Sequence, residues 1–303
     1  MKDYLSEVNA RLPIRRSKRE KAAFIDYVCG EIGESRVKCE IIDKKHRNVI
    51  IGSISEAEVV FTAHYDTPPV SVVPNLMMPA NKILNIVSNL AYPLFLAIVS
   101  MVLAIVIAAS ISANEFVLVL IYFILYFGSF YLSTRCFTNK NNLNDNTSGV
   151  ATILSLAANT DNGKVAFILF DNEEKGLEGS KAFNKKHKDI MNNKLVINFD
   201  CVGNGDQIII SAKDAATKLA HFESLKTAIL SNDAYTVHYI NNKDNLGNSD
   251  HKSFPCGVCV VACSKGKRAQ FYTGRIHTPR DVIADSNNIS FIAEKMSNFI
   301  AMI

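Results

Sequence analysis

Apolar positions along this chain fall into three kinds of run. Short runs, at 165–169, 195–199 and 258–262, stop abruptly at polar or acidic residues and predict buried strands. Further strands are predicted over 36–43, 48–54, 58–62, 207–211 and 235–240 from their β-branched content. The second kind recurs at helical spacing. In 18–32, Ala22, Ile25, Val28 and Ile32 share one face and Ser17 stands at the N-cap position. Helices are likewise predicted over 3–11, 148–158, 179–188, 215–230 and 286–303. The third kind is long. Residues 91–113 are apolar apart from Pro93, Ser100, Ser110 and Ser112, and 115–133 are nearly as apolar, with Asn114 and Glu115 between them. About 20 residues of helix cross a bilayer core, so this pair predicts a transmembrane hairpin with a very tight turn. A buried hairpin in a soluble core is the competing reading. Residues 83–90, with Asn85, Ser88 and Asn89, predict a short interfacial helix before the crossing.

Alternating strands and helices imply a three-layer α/β/α domain with a central mixed sheet. The expected division is residues 1–81 and 135–303 for that domain and 82–134 for the inserted hairpin. Lys82, Arg135 and Lys140 flank the open end of the hairpin, and its turn has no cation. The positive-inside rule then puts the α/β/α domain on the cytoplasmic side of the membrane.

Composition refines this picture. The 303 residues carry a net charge of +4, and no basic groove interleaved with aromatics is present, so nucleic acid is not an expected partner. Seven cysteines, mostly in apolar segments, suit reduced thiols better than a disulfide framework. Cys256 and Cys259 form a C-x-x-C without a second pair at zinc-finger spacing, and they read as side chains of a core strand. The N-terminus has no apolar stretch of the kind a secretory leader needs. The basic run from Arg15 to Lys21 is expected to be a solvated helix face, with contact to anionic lipid headgroups as the alternative.

The chemistry gathers where strands end. His64, Asp145, Glu173, Glu174, Asp200 and His277 all fall at a strand terminus or in an adjoining loop. Each has an ordinary explanation: Asp145 could cap the next helix, and loop carboxylates are usually solvated. Adjacent like charges at Glu173 and Glu174 repel, however, and a cation would offset them. Two imidazoles and three or four carboxylates form the donor set that zinc takes, and His64-Tyr65-Asp66 lets a carboxylate orient an imidazole ligand. Two ions sharing one carboxylate can clamp a carbonyl and activate water. A further carboxylate must stay off the metals to take the proton.

The order of these motifs resembles the M28 zinc aminopeptidases, whose fold glutaminyl cyclases share. The resemblance runs over His64-Tyr65-Asp66, Asn144 to Gly149, Glu173 to Ser180, Asn198-Phe199-Asp200, Ser249-Asp250-His251 and His277-Thr278-Pro279. It covers the chain from about Val59 onward except the hairpin. It implies an eight-stranded mixed sheet, a peptide substrate and two Zn²⁺ ions. His64 and Asp200 would hold one ion, Glu174 and His277 the other, and Asp145 would bridge them. Glu173 would be the general base, and Asp66 would orient His64 from behind. Two departures stand out. His64 and Asp145 lie 81 positions apart with the hairpin between them, which suggests a site opening close to the bilayer surface. Ile276 stands where some relatives carry an oxyanion-stabilising Tyr, leaving Tyr272 and Arg275 as nearby candidates. The expected activity is removal of an N-terminal residue by peptide hydrolysis. The alternatives are cyclisation of N-terminal glutamine at one zinc, or an inactive membrane receptor or scaffold on this fold.

Overall fold

Two helices, α1 (Tyr4–Arg11) and α2 (Lys18–Ile32), open the computed structural model, which describes residues 2–72, 75–79, 81–241, 248–267 and 270–303. Asp3 accepts Ser6 N to start α1. Ser17 and Glu20 form a reciprocal capping box on α2. Strands β1 (Val37–Ile42), β2 (His46–Ile51), β3 (Val59–His64) and the short β4 (Asn75–Met77) come next. The hairpin helices α3 (Lys82–Ser110) and α4 (Glu115–Thr134) follow β4. After them the chain alternates: α5 (Ser148–Asn159), β5 (Val165–Phe170), α6 (Glu178–Lys186), α7 (Lys188–Met191), β6 (Leu195–Phe199) and β7 (Gln207–Ala212). It ends with α8 (Ala220–Ala228), β8 (Thr236–Asn241), β9 (Gly257–Gly266), β10 (Gln270–Ile276) and α9 (Ser286–Ile300). The part of the polar loop predicted over 245–251 that precedes Asn248 lies outside the described residues.

Eight strands form one mixed sheet in the order β1-β2-β5-β3-β6-β9-β7-β8. Its centre, β5-β3-β6-β9, is parallel. Beyond the eight that the resemblance implied, β10 pairs with the end of β9, and β4 pairs with β10, giving ten. These two extra strands link the root of α3 to the segment that leads into His277.

Strand alternation sorts side chains to the two faces. On one face, Val59, Phe61 and Ala63 join the main core with α1, α2, α5, α8 and α9. Phe61 stacks there on Phe167 and Phe199 and meets the edge of Phe299, with centroids 5.5, 6.1 and 6.3 Å apart. On the other face, Val60, Ile168 and Phe170 pack against Phe183 and Met191 of α6 and α7 and against Phe254. Both faces of the central strands are covered, which is why those strands read as unbroken apolar runs.

The hairpin is not core. No residue of α4 is buried, and Phe116, Val106 and Ile124 are 77%, 61% and 63% exposed. Both helices are long and apolar enough to cross a membrane. The predicted break before the crossing is absent: α3 is one helix from Lys82, capped by Asn81, and it runs through Pro93. Proline removes one backbone hydrogen bond, and packing along α4 holds the turns on either side in line.

Two members of the basic run also differ from expectation. Arg15 is fully buried and Lys21 is 5% exposed, because each has buried acceptors to satisfy it. All seven cysteines are unpaired. Four are buried, whereas Cys39 and Cys136 are exposed.

Candidate metal centre

Parallel strands bring their C-terminal ends to one edge of the sheet, where α/β proteins place ligands. His64 is the last residue of β3 and pairs in register with Phe170 of β5, so the loop after β5 starts beside it. Asp200 follows β6, the other parallel neighbour of β3. The Leu143–Thr147 turn before α5 delivers Asp145, whose peptide bond to Asn146 is cis. His277 arrives directly after β10.

The turn is fitted closely to its surroundings. Asn146 Nδ2 donates to Phe199 O at 2.9 Å, and Gly203 N donates to Asn144 Oδ1 at 2.9 Å. A Cβ at Gly149 would lie 2.6 Å from Phe199 O, so only glycine permits this approach of α5 to the end of β6.

All six residues predicted from the sequence come together. Asp145 lies at the centre and faces both imidazoles: Oδ1 is 3.3 Å from His64 Nε2, and Oδ2 is 3.0 Å from His277 Nε2. Asp200 Oδ1 is 3.9 Å from His64 Nε2, and Glu174 Oε1 is 3.3 Å from His277 Nε2. Two triplets result, His64–Asp145–Asp200 and Asp145–Glu174–His277, each with ligand atoms within 4.8 Å of one another. His64, Glu173 and Glu174 make a third such group.

The electrostatics are those of a site built for cations. Burial disfavours charged imidazole at His64, but Glu173, Asp145, Asp200 and Asp66 override it and raise its proton affinity well above the usual. His277 is raised in the same way by Glu174 and Asp145. Burial pushes against ionisation of Asp145, yet His277 and His64 hold its carboxyl well below the ordinary range. Glu173 is raised well above the usual glutamate value by burial, and by Glu174, Asp250 and Asp200, against the charge of His64. Neutral imidazoles and carboxylate oxygens are the donors zinc takes. Glu174 Oε1 is also buried with no hydrogen-bond donor aligned on it, as a carboxylate oxygen facing an ion would be. The residues present therefore fit zinc.

Further groups support these six, and of them Asp281 and Arg15 were not singled out by the sequence pattern. Asp281 accepts Asn144 N through Oδ1 and Asp145 N through Oδ2, both at 3.0 Å, and so fixes the Asp145 turn. Its own carboxyl is pushed up to about 7 by burial and by the charge of Asp145. Asp66 plays a matching part on the other side: its carboxylate accepts Glu173 N and Glu174 N, while the ring of His64 meets its backbone carbonyl at 3.1 Å. Asp250 is completely buried, and burial raises it to about 7 in front of Glu173. Arg15 reaches Tyr65 O, Asn142 Oδ1 and Thr147 Oγ1, joining the segments that carry His64 and Asp145.

The site opens into a cavity of about 360 Å³ lined by Asp145, Glu173, Glu174, Asp200 and His277. Its wall includes Asn85 and Asn89 of α3 and Arg135 at the end of α4. Arg135 Nη1 donates to Glu174 O at 3.0 Å. A second cavity of about 290 Å³ shares Asn89, Arg135, Glu174 and His277, and runs between Tyr92 of α3 and Phe130 of α4. Ile276 lines the first cavity, whereas Tyr272 and Arg275 do not.

Comparison with known proteins gives a family and a fold. The model of peptidase family M28 matches residues 133–300, more than half of the chain. No curated protein sequence matches it. Among solved structures, a glutaminyl cyclase of Porphyromonas gingivalis superposes with a TM-score of 0.58 at 16% identity, covering 99% of this chain and 96% of that one. A Zn-dependent exopeptidase from Parabacteroides distasonis gives 0.58 at 14% identity, with 98% and 95% covered. The LapA aminopeptidase of Legionella pneumophila gives 0.56 at 14% identity, with 98% and 68% covered. At these identities the structures establish a shared fold, that of zinc exopeptidases.

Proposed function

The chain belongs to peptidase family M28, and from that premise we propose that this zinc hydrolase is a membrane-anchored aminopeptidase with two ions bridged by Asp145. The observation that carries the reading is the placement of Asp145, whose two oxygens face different imidazoles across a buried site. His64 and Asp200 would hold one ion, and Glu174 and His277 the other. When bound, the ions polarise the scissile carbonyl and make water a nucleophile near neutral pH. The protein's own groups do the rest. Glu173 takes the proton of the attacking water on its carboxylate and returns it to the leaving amine. Asp66 holds the Glu173–Glu174 backbone in place, and Asp281 holds the Asp145 turn. A buried wall rich in carboxylates suits the ammonium of a peptide N-terminus.

Residues 1–81 and 135–303 form the catalytic domain, and 82–134 form a hairpin that crosses the bilayer. Arg135 and Lys140 at the open end favour a cytoplasmic catalytic domain. Asn85, Asn89 and Arg135 lie in the hairpin or at its edge and also line the cavity, so the site opens beside the membrane surface. The fold shared with a glutaminyl cyclase keeps cyclisation as a second reading. Metal content separates the two: two ions per chain for the peptidase, one for the cyclase. An inactive receptor or scaffold is disfavoured by the complete ligand set together with a free base.

The test uses purified full chain and aminoacyl chromogenic substrates. Chelation should abolish release of the chromophore and Zn²⁺ should restore it. Activity indifferent to chelation would overturn the reading.

A further inference from the structure

A third cavity, of about 220 Å³, is lined by residues on either side of Glu173 and Glu174 in sequence, and cations dominate its lining. Three segments distant in sequence supply them. The N-terminal arm gives Arg16, Lys18 and Lys21; the β1–β2 turn gives Lys44 and Lys45, and the start of β2 gives Arg47; the loop after β5 gives Lys175. Asp171 and Glu178 are the acids in the lining. Asp171 is already engaged by Lys21 in a buried pair. Glu20, close by, is occupied by the backbone N–H groups of Arg16 and Ser17. Among the described residues, Lys18, Lys44, Lys45 and Lys175 make no ion pair, and all four are exposed.

Local sequence gives no reason for this concentration. Lys45 N closes a turn onto Ile42 O, with positive φ at both Asp43 (51°) and Lys44 (57°). Such a turn favours Asn or Asp followed by Gly. Asp43 conforms, whereas Lys44 places a long cation where glycine is the easy choice. Cations brought together from three segments repel one another unless an anion sits among them.

The pocket's position indicates which anion. Arg16 Nη1 donates to Phe137 O at 3.3 Å and Nη2 to Arg135 O at 3.4 Å. Arg135 is the residue directly after α4, and it donates in turn to the carbonyl of Glu174, next to Lys175. The cationic pocket is thus hydrogen-bonded to the point where α4 ends. We propose that it binds the phosphate of an anionic phospholipid headgroup from the bilayer that α3 and α4 span. This rests on the membrane reading of the hairpin and not on the peptidase reading. A headgroup at that depth lies at the level where juxtamembrane cations meet anionic lipid.

The test is lipid retention by the full chain. Protein reconstituted in nanodiscs of phosphatidylcholine with a minor share of phosphatidylglycerol is released into mild detergent, and bound lipid is counted by native mass spectrometry. Wild-type protein should retain phosphatidylglycerol in preference to phosphatidylcholine. K44E/K45E/K175E should lose that preference several-fold, and so should K18E/K44E, which alters a different pair of segments. A charge-matched control away from the pocket, K188E/K218E/K267E, should keep it. Thermal melting and zinc content establish that each variant is folded. Equal retention by wild type and both pocket variants would overturn the proposal, as would equal loss in the control. Displacement of the lipid by inorganic phosphate, with phosphate then bound in detergent, would also overturn it by identifying a soluble anion as the ligand. Failure to enter nanodiscs at all would refute the spanning hairpin, and the proposal with it, whatever the enzyme does in solution.

Discussion

Asp66 holds Glu173 by its backbone: Asp66 Oδ1 accepts Glu173 N at 3.0 Å, and Oδ2 accepts Glu174 N at 3.2 Å. One buried carboxylate therefore sets the position of both the proposed base and a proposed ligand. Its carboxyl is held below the usual value despite burial, chiefly by His64, then by the charge of Lys21 and the Glu173 N–H, so it is ionised when it accepts them. Asp66→Asn presents an amide N–H to one of two backbone N–H groups. We expect kcat/KM to fall about 10- to 100-fold, as for groups that orient metal ligands. Zinc affinity should weaken in parallel, measured by competition with a chromogenic chelator. A purely structural role would lower the melting temperature and leave the affinity of the folded fraction unchanged.

Glu173→Gln removes the base and keeps its shape. Loss of general-base assistance lowers kcat by about 10²–10⁴. Zinc content by elemental analysis should remain that of wild type, because Glu173 lies outside the two triplets that include Asp145. Asp145→Asn makes the contrasting case, and zinc content should fall.

The pH dependence follows from His64 and His277. Both imidazoles bind protons more tightly than usual because carboxylates surround them. A proton must leave before the ring nitrogen can hold zinc. Zinc affinity should therefore rise with pH, and binding should release protons. The sign reverses for the metal-free fold: a raised imidazole contributes stability below its unfolded value and loses it as pH rises through the folded one. Chelator competition and thermal melts on both sides of neutrality should show these opposite slopes.

Arg15→Met removes the donor to the buried Tyr65 O and Thr147 Oγ1 and to the part-buried Leu12 O, while Asn142 Oδ1 keeps Thr147 Oγ1 as its donor. An unsatisfied buried polar group costs about 1–3 kcal/mol, so we expect a loss of about 3 kcal/mol or more, read from denaturant melts. Zinc affinity should fall as well, because Arg15 joins the two segments between which the hairpin is inserted. Arg15→Lys should recover part of each loss.

Much of this was legible in the sequence because it is written locally. A strand buried on both faces must be apolar throughout and must stop where it meets the ligand edge, so Val165–Phe170 and Leu195–Phe199 announced both the sheet and the acids that follow. The hairpin was equally plain from length and composition. What escaped depends on partners far along the chain. Arg15 and Lys21 belong to a run that looks solvated, and their burial is decided by groups near positions 65, 142 and 171. Asp281 looks like any loop acid until the Asp145 turn docks on it. Strands β4 and β10 pair mainly with each other and with the tip of β9, so neither carries a doubly buried pattern. The continuity of α3 from Lys82 into the span escapes a sequence reading because Asn85, Ser88 and Asn89 resemble a boundary, whereas the helix runs unbroken through them.

The ladder from β9 through β10 to β4 has a mechanical consequence. It ties the strand that ends at His277 to β4, and Met78 N, just after β4, donates to Asn85 Oδ1 in the first turn of α3 at 3.1 Å. Helices in a bilayer lean to match its thickness, and a lever fixed at its fulcrum carries that lean inward. On the proposed membrane anchorage, a thinner or thicker bilayer would shift Asn85 and Asn89 at the lip of the cleft, and the lipid chains would set the width of the doorway.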